Sequence, residues 1–160
     1  MSFNVTKRDG PVQTFDLEKV HKVLEWATES ITGVSVSEIE IKANIQLYNK
    51  IPAYDIHELL IKSAAELICE ATPNYQFVAA RLINYKIRKE VYGDYKPCPL
   101  RQLIIENVGR GVYDGGIMEN YEYTEIDALD SYIKHDRDNE FTYAGMEQFR
   151  CKYLVQNRNT

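Results

Sequence analysis

The apolar positions near the N-terminus follow a two-residue period before they follow a helical one. Val5 and Lys7, and then Val12 and Thr14, alternate as in half-buried strands. Residues 8–11 between them (Arg-Asp-Gly-Pro) have turn composition, because Gly supplies a positive φ and Pro does not continue a ladder. The pattern predicts a short β-hairpin.

The apolar period then lengthens to that of a helix. Asp16 stands where an N-cap belongs, and the predicted helix runs from about Leu17 to about Ile31 and ends near Gly33. The apolar positions at helical spacing are Leu17, Val20, Leu24 and Ala27.

Three further helices are predicted before residue 93. Residues 37–40 (Ser-Glu-Ile-Glu) have capping-box composition and open the second helix, which residues 49–52 break. Its two apolar faces predict a helix enclosed by neighbours. The third helix is expected over about 54–71 and the fourth over about 75–92, before Gly93. The two faces of the second helix are Ile41, Ile45 and Tyr48, and Ile39, Ala43 and Leu47.

The chain after residue 93 differs in composition from residues 1–93. Residues 94–99, with Pro97 and Pro99, form the predicted linker between a domain at 1–93 and a helical segment at 100–160. This segment has few apolar residues per turn, so we expect it to pack against something else, and its end suggests a truncation. Its expected helices are 100–108, one that Thr124 caps and that continues to Ile133, and 143–154. The predicted fold class is mostly α with a small β hairpin or sheet.

Composition narrows the class of protein. The 160 residues are 44% hydrophobic and 27% charged, as expected for a chain that buries a core. A net charge of −5 disfavours a nucleic-acid partner. The N-terminus lacks a signal peptide pattern and no apolar run is long enough to span a bilayer, so we expect no membrane partner and a cytoplasmic location. Three cysteines without a CxxC pair predict reduced thiols rather than a zinc site or a disulfide framework.

Three cations near the predicted hairpin are the candidate chemistry. Lys7 and Arg8 on the hairpin and Lys19 near a helix start are side chains that bind phosphate, and free N–H groups at a helix start would add to them. The alternative is that they protect an edge strand and solvate a helix face.

Two other segments each have two possible roles, and no group of residues has the arrangement of a catalytic site. Residues 88–89 (Arg-Lys) either contact phosphate or complement a helix dipole. Residues 136–138 (Asp-Arg-Asp) either ligate a metal or form ion pairs. The three histidines lie in no metal-ligand spacing, and no catalytic or metal-binding residue is nominated.

Taken together, the motifs resemble a known family. The N-terminal motifs are similar to the ATP-cone of the α subunit of class I ribonucleotide reductase: VTKRDG, FDLEKV, DIHE, PNYQFVAARL and IRKEVYG. Two later motifs resemble the opening of that subunit's catalytic domain: KHDRDNEFTYAG and KYLVQNR. The absence of CxxC separates the chain from a zinc-containing repressor that also carries a cone.

The resemblance implies an allosteric module, a four-helix unit under a short β lid, that binds ATP or dATP together with Mg²⁺. Lys7 and Arg8 would hold the phosphates. Val5 and Val20 would border the nucleotide. Its polar shell would be completed by Lys19, His57 and Lys89, and Asp16 would lie near the base and sugar.

Two positions depart from the family pattern. Gln13 stands where close relatives have Glu beside the adenine, and Ala53 stands where they often have Thr. Since an amide replaces an acceptor-only carboxylate at residue 13, we expect weaker discrimination between ATP and dATP, or weaker dATP inhibition.

The resemblance also implies partners. They are the remainder of the reductase α subunit and the radical-generating β subunit of the enzyme that makes deoxyribonucleotides. The catalytic cysteines of the family lie outside these 160 residues, so the chain is not expected to be active by itself. The alternative is a stand-alone cone-fold interaction module whose nucleotide site is degraded and which docks on a reductase subunit.

Overall fold

A computed structural model describes residues 4–6, 10–44 and 47–154. The chain divides into two compact units, the first made of residues 1–84 and 139–160 and the second of residues 85–138. Each unit is treated by itself below. The division into 1–93, 94–99 and 100–160 stays a prediction.

A three-stranded sheet opens the first unit. Strands β1 (Asn4–Thr6) and β2 (Val12–Thr14) are antiparallel, which confirms the hairpin, and β3 (Ile51–Pro52) pairs parallel to β1 on its other edge. The sequence predicted a break at residues 49–52 and missed β3. A two-residue strand is too short to show a period, and only its pairing with β1 makes it a strand.

The register of the sheet decides which side chains point inward. Val5 lies opposite Gln13 on β2 and opposite Ile51 on β3, and directly opposed residues share a face. Val5 and Ile51 are buried, whereas Val12 is 51% exposed and all of β2 is exposed. The prediction that Val12 and Thr14 are half-buried is therefore wrong, and the β2 residue on the Val5 face is polar.

Helix α1 (Leu17–Thr28) starts as predicted. The Asp16 carboxylate accepts a hydrogen bond from the Glu18 N–H at 3.1 Å, which confirms the N-cap. The helix ends three residues before the predicted position. There the Arg81 guanidinium donates to the Glu29 carbonyl at 2.7 Å, and Ser30 has a φ of 60°.

Helix α2 (Val36–Asn44) corrects two predictions. It begins one residue before Ser37, so residues 37–40 do not form the predicted capping box at its N-terminus. Ile39 and Ala43 are buried, whereas Ile41 is 64% exposed, so α2 packs through one face rather than two. On the predicted second face, Tyr48 is exposed, and Ile45 lies outside the described residues.

Helices α3 (Ala53–Ala65) and α4 (Tyr75–Tyr92) supply much of the core. Helix α3 ends six residues before the predicted 71, whereas α4 has the predicted bounds and is followed by Gly93 with a φ of 72°. The core of the first unit includes Leu24, Ala27, Ile39, Leu60, Ala64, Tyr75, Val78, Leu82 and Ile83.

The C-terminal part of the first unit contains the last predicted helix. It forms as α8 (Tyr143–Gln148), with Thr142 as its N-cap, and continues as a π-helical turn over Phe149–Tyr153. We call Tyr143–Tyr153 the α8 segment.

The second unit contains α5 (Leu100–Gly109), α6 (Gly116–Asn120) and α7 (Tyr123–Asp130). The prediction that Thr124 caps a helix is wrong, because Glu122 is the N-cap of α7 and forms a capping box with Glu125. A 3₁₀ helix over His135–Glu140 follows. In this helix Asp138 pairs with Arg88 at 2.8 Å, so of the two alternatives for residues 136–138 the structure shows an ion pair.

The described helices include none that is both long enough and apolar enough to span a membrane.

Candidate nucleotide site

The sheet places the start of α3 beside the end of β1. Thr6 pairs with Pro52, and Pro52 is the N-cap of α3 without a side-chain hydrogen bond to the first turn. The N–H groups and the positive dipole end of α3 therefore lie next to the strand that leads into the predicted phosphate-binding residues. Ala53 and His57 follow one helical turn apart, so they share a face of α3.

Hydrogen bonds fix the connection that precedes α3 against β1. The Lys50 N–H donates to the Asn4 carbonyl at 2.7 Å, and the Thr6 hydroxyl donates to the Lys50 carbonyl at 3.3 Å. The Asn49 side chain accepts from the Asn4 N–H at 3.0 Å. These bonds set where α3 begins relative to β1.

The start of α1 contributes the predicted acidic and basic pair. One oxygen of Asp16 caps the helix, and the other lies 3.5 Å from the Lys19 ammonium. Both side chains are exposed, and Val20 is half-buried in the same first turn. The structure thus brings Asp16 and Lys19 into direct contact, a pairing that their three-residue separation on a helix permits.

A small apolar cavity lies beside Val20. Its walls come from the junction of β2 and α1, from α2 and from α3, and it is about 10 Å³ in volume, close to the space of one water. A purine ring does not fit in a cavity of this size. Its lining includes Phe15, Leu17, Val20, Glu40, Ala43 and Ile56.

Sequence reasoning missed a charged pair at the edge of this cavity. His21 Nδ1 lies 2.7 Å from the Glu40 carboxylate, and Nε2 lies 3.4 Å from Glu25. The hydrogen bond with Glu40 is the largest cause that raises the pKa of His21 above its ordinary value. The pair joins α1 to α2, and since its partners lie 19 residues apart, no local spacing signals it.

The remaining predicted site residues have different outcomes. Lys7 and Arg8 lie outside the described residues, so their role stays a prediction. Lys89 belongs to the second unit, where its ammonium lies 3.4 Å from Asp94 and 5.9 Å from the centre of the Tyr85 ring. Its grouping with the residues of the first unit also stays a prediction.

The described residues contain no cluster of three His, Cys, Asp or Glu side chains that would hold a metal ion. Mg²⁺ in nucleotide sites is commonly held by phosphate oxygens, waters and only one or two carboxylates.

Comparison with known protein families identifies the class of protein. The sequence pattern of the ATP cone domain matches residues 3–90, and the chain belongs to this family. It is therefore a nucleotide-effector module, and β1–β3 and α1–α4 lie within the matched range or extend two residues beyond it.

The curated relatives are longer proteins. The chain is 45% identical over 156 residues to ribonucleoside-diphosphate reductase 1 subunit alpha of Escherichia coli, which covers 98% of this chain and 20% of the relative. It is 43% identical over 159 residues to the subunit alpha of Haemophilus influenzae, covering 99% and 21%. For the subunit alpha of Helicobacter pylori the identity is 34% over 155 residues, covering 97% and 19%. The chain spans about a fifth of the length of these relatives.

Proposed function

We propose that this chain is the allosteric, ATP- or dATP-binding regulatory part of a ribonucleoside-diphosphate reductase α subunit. The observation that carries the proposal is the similarity to reductase α subunits over 98% of the chain, which extends past the ATP cone at residues 3–90 into the second unit and the α8 segment.

The geometry supports a triphosphate at the junction of β1, α3 and α1. Pro52 gives the α3 start no side-chain cap, Lys7 and Arg8 follow β1 in the sequence, and Lys19 lies in the first turn of α1. In this proposal Asp16 and Gln13 contact the base and sugar, and Lys19 exchanges its bond with Asp16 for one with the nucleotide. Mg²⁺ would enter with the triphosphate and would offset part of its negative charge.

Regulation then follows from the thermodynamic linkage between effector binding and the contacts among subunits. An effector shifts an equilibrium between two arrangements only by its difference in affinity for them. The partners whose contacts change are the remainder of the reductase α subunit and the radical-generating β subunit. Making deoxyribonucleotides belongs to that assembly, and this chain by itself is expected to bind effector without reducing substrate.

The test is calorimetric titration of the 160-residue chain with ATP and dATP, with and without Mg²⁺. We expect both nucleotides to bind, and binding at 100 times the Kd to add about 2.7 kcal/mol to the free energy of unfolding. Lys7→Ala removes a charge-assisted contact and should weaken ATP binding roughly 10- to 100-fold. Lys22→Ala, an exposed α1 lysine with no assigned role, is the matched control and should leave the Kd unchanged.

The same titration separates the two candidate functions. If neither nucleotide binds to the folded chain, the site is degraded and the stand-alone interaction module becomes the better account. Equal loss of binding in the Lys7→Ala and Lys22→Ala variants would contradict the phosphate role of the hairpin.

A further inference from the structure

The ion pair between α3 and the α8 segment joins the ATP cone to a part of the chain outside it. Arg150, in the π-helical turn of the α8 segment, donates from Nη1 to the Glu58 carboxylate of α3 at 2.8 Å. The two residues are 92 positions apart, and only Glu58 lies within the matched cone at residues 3–90. Both belong to the first unit.

The guanidinium is held on both of its sides. Nη2 of Arg150 donates to both oxygens of Glu147, at 2.8 and 3.1 Å, so the α8 segment itself orients the fork toward Glu58. The Arg150 side chain is 26% exposed. A planar guanidinium that is bound on both sides has little rotational freedom. The contact between Arg150 and Glu58 therefore depends on where α3 lies.

Glu58 is the residue directly after His57, and it lies five residues after Ala53. Five residues of helix span about 7.5 Å, so Glu58 lies less than two helical turns from the α3 start. A displacement of the α3 start on nucleotide binding would reach Glu58 through the backbone hydrogen bonds of that short stretch.

We propose that Arg150 is a positioning residue for the nucleotide site: its pair with Glu58 couples effector binding at the start of α3 to the order of the α8 segment. This inference rests on the proposed function, because it names the route by which that site communicates beyond the cone. Coupling is reciprocal, so a loosened α8 segment weakens effector binding as much as effector binding orders the segment.

The experiment is hydrogen–deuterium exchange of the 160-residue chain with and without ATP and Mg²⁺, together with calorimetric Kd values. In the unmodified chain, ATP should slow exchange in peptides that cover residues 143–153. Arg150→Met should remove this ATP-dependent slowing and weaken ATP binding about two- to five-fold, the range of a partly exposed ion pair. Glu58→Gln should reproduce both effects.

Three matched variants isolate the link. Glu147→Gln weakens the contact that orients the guanidinium but keeps the pair with Glu58, so it should reduce the ATP response of residues 143–153 less than Arg150→Met does. Arg101→Met breaks an exposed pair of the second unit, Arg101 with Asp127 at 3.3 Å, and should change neither readout. Arg150→Lys keeps one charge for Glu58 and should restore part of the response, which also covers the case in which Arg150→Met fails to fold.

The outcomes distinguish this inference from the proposed function. ATP that binds without slowing exchange at residues 143–153, or that slows it equally in the Arg150→Met and Glu58→Gln variants, overturns the coupling and leaves the nucleotide site intact. A chain that binds no ATP in calorimetry removes the proposed function, and the coupling falls with it.

Discussion

At the scale of the residue, the register of the sheet sets which face Gln13 occupies. Gln13 lies opposite buried Val5 and shares its face of the sheet, but Gln13 itself is exposed. A carboxylate at this position only accepts hydrogen bonds, whereas the amide both donates and accepts. The identity of residue 13 is therefore expected to affect how the base is recognised.

Gln13→Glu tests this expectation. We expect the unmodified chain to bind ATP and dATP with similar affinities. The variant should raise the preference for dATP by about 2- to 10-fold, which corresponds to one hydrogen bond. Paired calorimetric titrations measure the ratio, and Gln76→Glu on α4 is the control. A much tighter binding of dATP than of ATP by the unmodified chain would dismiss the hypothesis.

Lys50 carries a backbone cost at the connection that precedes α3. Its φ is 66°, a left-handed conformation that glycine adopts freely and other residues do not. Lys50→Gly should therefore raise the free energy of unfolding by about 0.5–1 kcal/mol. Urea unfolding followed by the fluorescence of the single Trp, Trp26, measures it. Lys22→Gly, within α1, should lower the stability by about 1 kcal/mol, and a shared sign in the two variants would contradict the strain argument.

At the scale of the element, helix pairs are joined by polar contacts that no single element reveals. Helix α1 meets α2 through His21 and Glu40, and α4 meets the start of α2 through Tyr75 and Glu38. Helix α2 buries only one apolar face, so these contacts help to fix its position.

The α1–α2 contact should make stability depend on pH. The pKa of His21 is raised above 6.5, first by its hydrogen bond with Glu40 and further by Glu25. A raised histidine pKa stabilises the fold below pH 6.5, and this contribution is lost as the pH rises through the folded-state pKa. Melting temperatures between pH 5.5 and 8.5 should therefore fall more in the unmodified chain than in His21→Gln. Glu25→Gln, which removes the longer contact, should keep most of the difference, and identical profiles for all three proteins would rule the contact out.

Tyr75 anchors the start of α4. Its side chain is 1% exposed, and its hydroxyl accepts from the Ser35 N–H at 2.9 Å and donates to Glu38 at 2.5 Å. Tyr75→Phe leaves the part-buried Ser35 N–H and the Glu38 carboxylate without this partner and should cost about 1–3 kcal/mol of unfolding free energy. Urea unfolding measures the loss, and Tyr132→Phe, at a side chain that is 80% exposed, should be neutral. A neutral Tyr75→Phe would show that water replaces the hydroxyl without cost.

At the scale of the whole molecule, the two units differ in how far their stability depends on a buried charge rather than on an apolar core. The first has a large apolar core, whereas the buried apolar residues that the structure describes in the second are Ile104 and Ile126. In the second unit Arg88, 7% exposed, bonds to Asp138 at 2.8 Å and to the His135 carbonyl at 3.3 Å. A buried cation thus substitutes for part of an apolar core.

Arg88→Met should therefore destabilise the second unit selectively, by about 1.5–3 kcal/mol for a hydrogen bond to a charged group. Hydrogen–deuterium exchange should quicken in residues 100–130 and remain unchanged in residues 17–28. Arg110→Met, which breaks an exposed contact with Glu106 at 3.7 Å, is the control. Uniform quickening across the chain would show that the two units unfold together.

The sequence alone determined the features that depend on local chemistry. The pairing of β1 with β2, the Asp16 cap and the bounds of α4 follow from φ preferences, side-chain caps and helical periodicity, all of which act within a few residues. The motifs also identified the family, because each motif that resembles the ATP cone is a short run of consecutive residues.

Only the tertiary structure decided what depends on distant partners. Strand β3 exists because β1 pairs with it, and Ile41 is exposed because none of the elements that the structure describes covers that side of α2. The pairs His21–Glu40 and Glu58–Arg150 join residues 19 and 92 positions apart. Such contacts are set by how the helices pack, and neither propensity nor spacing in a single sequence encodes that packing in a readable form.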